Sequence, residues 1–503
     1  MSNNKKYWKG VEELNETSSF QQSKNKEFSE LLPAEEFLGD KNLLENSQTT
    51  RRDFLKYLGF GVTAASLAAC ETPVNKVIPY VVKTDKTNPG VANYFATSYS
   101  DGSDYCDILV KTREGRPIKI EGNKMSPLTK GAVNARVNSS VLSLYDSNRI
   151  KAPMIDGAAV SWSTFNDSVK KDLTAILAKG GKVRLLTNSI TSPSTLRLVG
   201  EFIAANPEAD IKHVSYDAVS YSGMLEANQS SFGKAVLPTY NIAKAKSIVS
   251  IGADFMSSFP NSIELTNQYA QGRKPENGWM SKHFQFEASM SLTGSNADVR
   301  VPVKASKHGV VVAGLYNYIA GKLGAAGVTA AKFDQQDKIA MAGDHLIANK
   351  GASIVMAGSN DKAVQVLVNG INDMLGNYGS TIDIVNHSNT RKGIDSSVAS
   401  LVKEMNSGSV DALMMIGVNP VLTIPASMSF AESLAKVKMA ISFASRPNET
   451  TANTKYVAAT PNYLESWGDT NPKVGYYGLT QPTINPLFDT KQFEDCLLSW
   501  MDK

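Results

Sequence analysis

The sequence predicts an α/β fold in which a small N-terminal β-rich domain precedes doubly wound α/β domains. Short apolar runs, such as residues 246–252 and 410–417, have the composition of strands that are buried on both faces. These runs alternate with segments of helical periodicity, such as residues 161–177. Strands that alternate with helices in this way are typical of a parallel sheet covered by helices on both faces.

The β-rich domain is predicted from two segments of alternating polarity. Residues 106–112 and 117–122 have this pattern, and a turn at residues 114–116 separates them. Two alternating segments joined by a short glycine-containing turn predict a β-hairpin.

The remaining elements divide the chain into domains. Further strands are predicted at residues 182–188, 283–287, 299–303, 353–359, 381–385 and 438–443, and further helices at 139–149, 194–205, 309–323, 363–375, 398–405 and 426–436. A length of 503 residues suits two to four domains. We therefore place a linker and the β-rich domain at residues 71–155, a first α/β domain at 156–330 and a second at 331–503.

Polar residues that follow predicted strands are the candidate ligand-binding residues. In open α/β sheets, ligands bind at the loops that follow the carboxyl ends of the strands. Asp254, Ser359, Asn419 and Arg446 are in such loops. We expect their side chains to lie at the carboxyl edges of the sheets.

Composition excludes several classes of function. The net charge is +4 with no basic tract, so a nucleic-acid partner is not expected. The three cysteines, Cys70, Cys106 and Cys496, form no CxxC pair, so neither a structural zinc site nor a four-iron cluster is expected. The five histidines have no metal-like spacing, and no phosphate-binding glycine loop is present.

The N-terminal 70 residues have the form of an export signal. Residues 1–48 are polar and are expected to be a disordered or extended leader. Residues 49–70 contain the pair Arg51–Arg52, a short apolar run and a small-residue end at Cys70, which predicts a twin-arginine signal with a lipobox-like end. The alternative is a buried amphipathic helix with a chance arginine pair. The signal predicts the periplasmic side of the bacterial inner membrane, with Cys70 as the lipidation site.

Short motifs through most of the chain resemble those of molybdopterin oxidoreductases. The matching segments are residues 115–123, 144–153, 161–162, 251–254, 297–303, 416–420, 449–451 and 464–468. In that family the loops at these positions line two pterin-guanine dinucleotides. The resemblance marks Gly252, Asp254, Asn419 and Pro420 as vestigial pterin-loop positions.

The chain looks most like the molybdopterin-like half of the large iron–sulfur subunit of bacterial alternative complex III. This resemblance implies a membrane-bound respiratory complex that oxidises quinol. It also implies partners: a fused or separate ferredoxin-like domain that carries iron–sulfur clusters, a multihaem cytochrome c, integral membrane quinol-binding subunits and a terminal oxidase.

The sequence departs from the active enzymes of that family at both metal sites. Where those enzymes carry a set of cluster-binding cysteines, residues 94–106 retain only Cys106. Their molybdenum ligand is a serine, cysteine or selenocysteine in a loop that corresponds to residues 216–224, where Ser220 and Ser222 are the candidates. We therefore expect no iron–sulfur cluster and no molybdopterin in this chain.

Three hypotheses for function follow. The first is a non-catalytic, cofactor-free scaffold that docks the cluster-bearing and haem-bearing parts of the respiratory complex, so whether the chain is an enzyme by itself stays open. The second is an active periplasmic molybdopterin oxidoreductase with Ser220 or Ser222 as the metal ligand. The third is a periplasmic α/β ligand-binding protein.

Overall fold

The computed structural model describes residues 90–102 and 104–502, which lie in a compact unit that spans residues 83–503. The predictions made for the leader, 1–48, and for the signal, 49–70, with Arg51, Arg52 and Cys70, lie outside the described residues. Among the described helices, none has the length and apolar character needed to cross a bilayer.

A three-stranded antiparallel sheet opens the described part of the chain. It contains β1 (Asn93–Ser100), β2 (Tyr105–Arg113) and β3 (Arg116–Gly122) in that order. Glu114 and Gly115 join β2 to β3 with φ angles of 51° and 76°. Two successive positive φ angles give the turn that matches the right-handed twist of a hairpin, which confirms the predicted hairpin.

A largely parallel seven-stranded sheet, which we call sheet 1, forms the larger α/β layer. Its order is β5-β4-β16-β15-β14-β6-β7. The strands are β4 (Met154–Ile155), β5 (Ala158–Ala159), β6 (Lys182–Thr187), β7 (Asp210–Ser215), β14 (Ala412–Ile416), β15 (Met439–Ala444) and β16 (Tyr456–Ala459). The five strands from β16 to β7 are parallel.

A second parallel sheet, sheet 2, has the order β11-β10-β9-β12. Its strands are β9 (Ser247–Ile251), β10 (Lys282–Glu287), β11 (Val299–Pro302) and β12 (Ser353–Ala357). Side chains alternate between two cores: Ile248 belongs to one core and Val249 to the other. Burial on both faces explains why these strands appear in the sequence as continuous apolar runs.

An antiparallel sheet in the same compact unit has the order β18-β17-β13-β8. Its strands are β8 (Leu237–Tyr240), β13 (Ile382–Ser388), β17 (Gly468–Lys473) and β18 (Tyr476–Thr480). Side-chain hydrogen bonds also join β18 to β1, including Thr480 Oγ1 to the Ser98 carbonyl at 3.3 Å.

Helices cover both faces of each parallel sheet. They are α1 (Ala135–Ser139), α2 (Trp162–Leu177), α3 (Pro193–Ala204), α4 (Ser222–Phe232), α5 (Ser262–Gly272), α6 (Leu292–Ser295), α7 (His308–Leu323), α8 (Gln336–Ala348), α9 (Lys362–Met374), α10 (Asp395–Asn406), α11 (Pro420–Thr423), α12 (Phe430–Leu434) and α13 (Phe493–Trp500). Residues of α2, α3 and α13 pack on one face of sheet 1, and those of α10 and α12 on the other. In sheet 2, α7, α8 and α9 face α4 and α5 across the strands. The predicted doubly wound α/β fold is present.

Two predicted helices are shorter than expected. The segment 139–149 contains the last residue of α1 and a 3-10 turn at Ser140–Tyr145. The segment 426–436 contains a 3-10 turn at Ala426–Met428 and then α12, because Ser429 has a φ of 49° and interrupts the helical backbone. A left-handed residue ends a run of right-handed helix.

The parallel sheets take strands from both predicted α/β segments. β6 and β7, from segment 156–330, pair in sheet 1 with β14 to β16, from segment 331–503. β12 lies in the second segment but pairs with β9 of the first in sheet 2. Sheet 2 is therefore inserted between two parts of sheet 1, and the predicted boundary at residue 330 is not a boundary between sheets.

Candidate functional site

The chain changes direction across sheet 1 between β6 and β14. From β6 the chain goes to β7 on one side, whereas β14, β15 and β16 lie on the other. A ligand crevice is expected at such a point, beyond the carboxyl ends of the two strands. Asn188 follows β6 there, and its N–H donates to the Ile416 carbonyl of β14 at 3.3 Å.

Three adjoining cavities of about 380, 660 and 550 Å³ open at this point, and we call them together the switch-point cleft. They adjoin one another, since each pair shares lining residues. Ser100 and Tyr463 line the first and second, Ile416 and Thr460 the first and third, and Ser445 and Arg446 the second and third. Asn419 and Arg446, predicted from the loop rule, line this cleft.

The charged side chains of the cleft are predominantly acidic. Four carboxylates and two guanidinium groups line it: Asp101, Asp146, Asp469, Glu494, Arg136 and Arg446. Both arginines are paired with carboxylates. Arg136 contacts Asp104 with a shortest distance of 2.6 Å, and Arg446 contacts Asp146 at 3.1 Å. The cleft therefore has no excess of positive charge.

The side-chain nitrogen and oxygen of Asn419 both bind residues of the loop that follows β15. Its Nδ2 donates to Glu449 at 2.7 Å, and its Oδ1 accepts from the Thr450 hydroxyl at 2.7 Å and from the Thr450 N–H at 3.2 Å. The hydrogen bond from Asn419 holds the pKa of the Glu449 carboxyl below its ordinary value. Pro420 is buried at the first position of α11. A proline suits that position, since its missing N–H has no partner to lose.

The corresponding point of sheet 2, between β9 and β12, is closed by backbone contacts. Gly358 N–H donates to the Ile251 carbonyl at 2.9 Å. A Cβ at Gly358 would lie 2.2 Å from the Gly252 carbonyl oxygen. Gly252 has a φ of 64°, and a Cβ there would lie 2.5 Å from the His308 ring. Glycine is therefore required at both positions for this close approach.

Asp254, in the loop after β9, is bound to α6. Its carboxylate accepts hydrogen bonds from the Thr293 hydroxyl at 2.7 Å and from the Thr293 N–H at 3.1 Å. Its carbonyl accepts from three following N–H groups, those of residues 257–259. Asp254 thus fixes its own loop and binds the start of α6.

Ser220 and Ser222 lie in the segment that leads into α4. The Ser222 hydroxyl donates to Glu226 at 3.2 Å and accepts from the Asp395 N–H at 3.1 Å. Ser220 Oγ accepts from the Ser222 N–H at 3.1 Å. These contacts end the β7–α4 connection and attach it to α10, so both hydroxyls already have protein partners.

The described cysteines and histidines form no metal site. Cys106 and Cys496 are free thiols in the hydrophobic cores, and burial raises the pKa of each to about 12. Within residues 90–102 and 104–502 no three acidic, cysteine or histidine side chains are grouped as metal ligands would be.

The four residues predicted from the loop rule all follow strands, as expected. They do not lie at a single site. The structure places Asn419 and Arg446 at the cleft of sheet 1, and Asp254 and Ser359 after strands of sheet 2. Sequence reasoning missed Asn188, although it directly follows β6 and the same loop rule could have included it. It also missed Thr293 and Asp395, for which the sequence carries no signal.

The solved structure of acetylene hydratase from Pelobacter acetylenicus superposes on this architecture. The TM-score is 0.63 at 10% identity, and the match covers 80% of this chain and 68% of that one. The chain has a molybdopterin-oxidoreductase-like fold. No family model matches the sequence.

Two curated proteins of Nitratidesulfovibrio vulgaris are similar in sequence. The menaquinone reductase molybdopterin-binding-like subunit is 24% identical over 513 residues, which cover 89% of this chain and 71% of that subunit. The alpha subunit of formate dehydrogenase 2 (cytochrome c-553) is 24% identical over 297 residues, 55% of this chain and 28% of that subunit. The chain is thus similar to molybdopterin-oxidoreductase-like subunits.

Proposed function

We propose that this chain is a non-catalytic, cofactor-free scaffold subunit of a membrane-bound respiratory complex that oxidises quinol, of the alternative complex III kind. One observation carries the proposal: the polar groups at the motif positions already have hydrogen-bond partners within the protein. Asp254 binds Thr293, and Asn419 binds Glu449 and Thr450. In a loop that holds a cofactor, such groups bind the ligand instead. A polar group that the ligand buried without giving it a hydrogen bond would make binding less favourable.

The residues present do not fit a molybdenum-bound pair of pterin dinucleotides. To bind a metal, the Ser222 hydroxyl would have to give up its hydrogen bonds with Glu226 and Asp395. Each dinucleotide carries an anionic pyrophosphate, whereas the switch-point cleft is lined by an excess of carboxylates and both of its arginines are paired. The matching point of sheet 2 is filled by the contact between Gly252 and Gly358.

The proposal includes partners and a location. A relative named as a subunit of menaquinone reductase supports a role inside a quinone-linked assembly. We propose that this chain docks a ferredoxin-like domain with iron–sulfur clusters, a multihaem cytochrome c, integral membrane quinol-binding subunits and a terminal oxidase. It would lie on the periplasmic side of the inner membrane after export through the Arg51–Arg52 signal, with a lipid on Cys70.

Metal and pterin analysis of the purified full chain tests the absence of a cofactor. We expect molybdenum, tungsten and iron to be far below one atom per chain by mass spectrometry of the elements, and no pterin fluorescence after oxidation. Ser222→Ala is the matched variant, and its metal content should equal that of the wild type. Stoichiometric molybdenum that Ser222→Ala abolishes would overturn the proposal.

Purification from membranes tests the assembly. We expect a tagged chain to elute with haem-bearing and integral membrane subunits, and to stay with the membrane after a high-salt wash. Release as a monomer would instead favour a periplasmic ligand-binding protein. Mass spectrometry of the mature amino terminus tests lipidation, since an intact segment 1–70 would exclude both cleavage and acylation at Cys70.

An active oxidoreductase is the second candidate, and the open cleft at the switch point of sheet 1 favours it. Ligands of α/β sheets bind at such a point, and the formate dehydrogenase subunit is an enzyme relative of the chain by its name. Ser220 or Ser222 would then be the metal ligand. The metal analysis described above separates this candidate from the scaffold.

A further inference from the structure

The loop between β13 and α10, residues 389–394, is held rigidly on several sides. Asn389 Nδ2 donates to Asn471 at 2.5 Å. The Lys392 N–H donates to Ser189 Oγ at 2.6 Å, and the Gly393 N–H donates to the buried Asp217 carboxylate at 2.9 Å. A Cβ at Gly393 would lie 2.8 Å from the Asp217 nitrogen, so the loop is packed closely against that residue.

This rigid loop carries a buried arginine with no acidic partner. Arg391 is 6% exposed, and its Nη1 donates to the Thr390 carbonyl at 2.9 Å. Its Nε is buried without a hydrogen-bond partner. Among the described residues no carboxylate oxygen lies within 4 Å of its guanidinium nitrogens, and Nη2 forms no hydrogen bond.

Other buried arginines of this chain show what is missing at Arg391. Arg149 is bound in a bidentate manner by Glu465. Arg184 is bound by both Asp210 and Glu404. A buried charge is strongly unfavourable unless it is paired, and proteins normally supply the counter-charge. Arg391 is also buried, yet no carboxylate of the described residues lies within ion-pair distance of it.

The surroundings of Arg391 are polar and adjoin the switch-point cleft. Its positive charge acts on the Tyr221 hydroxyl, opposing the burial that raises the pKa of Tyr221 to about 12. The neighbouring Lys392 N–H binds Ser189, which lines the cleft. Thr390 Oγ1 is 3.4 Å from Asn261 Oδ1 at the start of α5. An anion bound to Arg391 would thus lie where elements of both parallel sheets meet.

We propose that Arg391 is the centre of an oxyanion-binding site that takes a phosphate or sulfate group. The guanidinium group offers Nε and Nη2 as two unpartnered N–H donors on one edge, and this geometry matches two oxygens of a tetrahedral anion. The proposal goes beyond the scaffold function and does not depend on it, since either an empty or a loaded chain would contain this site.

Thermal unfolding with and without oxyanion tests the site. The full chain is measured in sodium chloride and in inorganic phosphate, sulfate or adenosine monophosphate at equal ionic strength. We expect the Tm of the wild type to rise with the logarithm of phosphate concentration, because a ligand that binds only the native state stabilises it. The nucleotide arm separates a free oxyanion from a phosphate carried on a larger molecule.

Three variants identify the residue. Arg391→Gln should lose the dependence on phosphate. In chloride alone its Tm should equal or exceed that of the wild type, since an uncompensated buried charge has been removed. Arg273→Gln is the control: it also removes one positive charge, but from an arginine that Asp298 already pairs and that does not line the cleft. It should keep the full phosphate effect.

If Arg391→Gln does not fold, Arg391→Lys is the variant that tests whether Arg391 binds the anion. Lysine keeps the charge but lacks the two-donor edge, so phosphate should bind at least about tenfold more weakly by calorimetric titration. The proposal is overturned if neither phosphate, sulfate nor the nucleotide stabilises the wild type relative to chloride. It is also overturned if Arg391→Gln, or Arg391→Lys in its place, binds phosphate as tightly as the wild type.

Discussion

Removing Arg149 should destabilise the chain strongly, because it leaves a buried carboxylate without its counter-charge. Arg149 Nη2 lies 2.6 Å from Glu465 Oε2, and Nη1 lies 3.0 Å from Oε1. The side chains are 1% and 0% exposed. The pair joins segment 144–153 to segment 464–468. These are two of the motifs on which the family resemblance rests, and they are more than 300 residues apart.

The size of the expected loss of stability depends on the hydrogen bonds that Glu465 retains in the variant. Breaking one side of a buried pair typically costs about 3–5 kcal/mol. Glu465 still accepts hydrogen bonds from the Asn462 N–H at 2.7 Å and the Leu487 N–H at 2.9 Å, so we expect Arg149→Met to lie near the lower value, about 3 kcal/mol. Arg149→Met with Glu465→Gln should recover part of this loss, since no buried charge remains and the glutamine oxygen can still accept a hydrogen bond from a backbone N–H.

The loss should depend on pH with a definite sign. Burial would raise the pKa of Glu465, but the pair with Arg149 and the backbone donors outweigh it and hold the pKa below its ordinary value. A lowered folded-state pKa gives stability that is present above the unfolded pKa, about 4.3, and is lost as the pH falls through the folded pKa. The deficit of Arg149→Met should therefore be full at pH 7 and shrink below about pH 4.

Urea unfolding monitored by circular dichroism at pH 7 and at pH 3.5 measures both effects. The control is Arg446→Gln, whose half-exposed pair with Asp146 should contribute less than about 1 kcal/mol. A deficit for Arg149→Met as small as that of the control, or one that does not change between the two pH values, would refute the assigned role of this pair.

Three further predictions concern buried groups. Burial lowers the pKa of His283 to about 4, so the unfolded chain takes up a proton below about pH 6.5 while the native chain does not; stability should fall by about 3 kcal/mol between pH 6.5 and 4, and His283→Gln should remove this slope in urea titrations. A slope unchanged in the variant would contradict this. Gly252→Ala meets the His308 ring, whereas Gly233→Ala has the same kind of positive φ, 71°, with open space around it. Both should lose about 1–2 kcal/mol for the left-handed backbone, and Gly252→Ala should lose clearly more in the same urea assay; equal losses would show that the ring moves aside freely. Cys106 and Cys496 should resist iodoacetamide at pH 8 in the native chain and react after unfolding, as peptide mass spectrometry would show, and native-state labelling would contradict their burial.

The fold class was predictable from the sequence because its signals are local. A strand buried on both faces needs an apolar run, as residues 247–251 show, and a hairpin needs a turn such as Glu114–Gly115. Strand pairing is not local. β6 pairs with β14 across more than 200 residues, and no feature of either strand specifies the other. The sequence therefore predicted the elements, but it did not indicate that sheet 2 interrupts sheet 1.

The candidate site was predictable to the same degree. Asn419 and Asp254 follow strands, so the loop rule found them. The sequence indicated only some of their partners. Glu449 and Thr450 belong to a motif of the resemblance, but Thr293 does not. The proposed site at Arg391 could not be predicted from the sequence. It is recognised by the burial of Arg391 and by the lack of an acidic partner, and both are properties of the tertiary structure.

Under the proposed cofactor-free function, hydrogen bonds within the motif loops would stabilise the fold in place of a ligand. A ligand that binds only the native state adds to its stability, so a chain that loses the ligand must replace that contribution or become less stable. Here Thr293 binds Asp254, Glu449 and Thr450 bind Asn419, and the Gly252–Gly358 contact fills the space between two strands. Each of these contacts is made inside the protein and requires no ligand. Arg391, by contrast, is a described buried arginine that no carboxylate of the described residues pairs. Arg391 lies outside the motif segments. Since the motif loops satisfy their polar groups internally while this arginine has no acid within ion-pair distance, we expect the proposed anion to bind at Arg391.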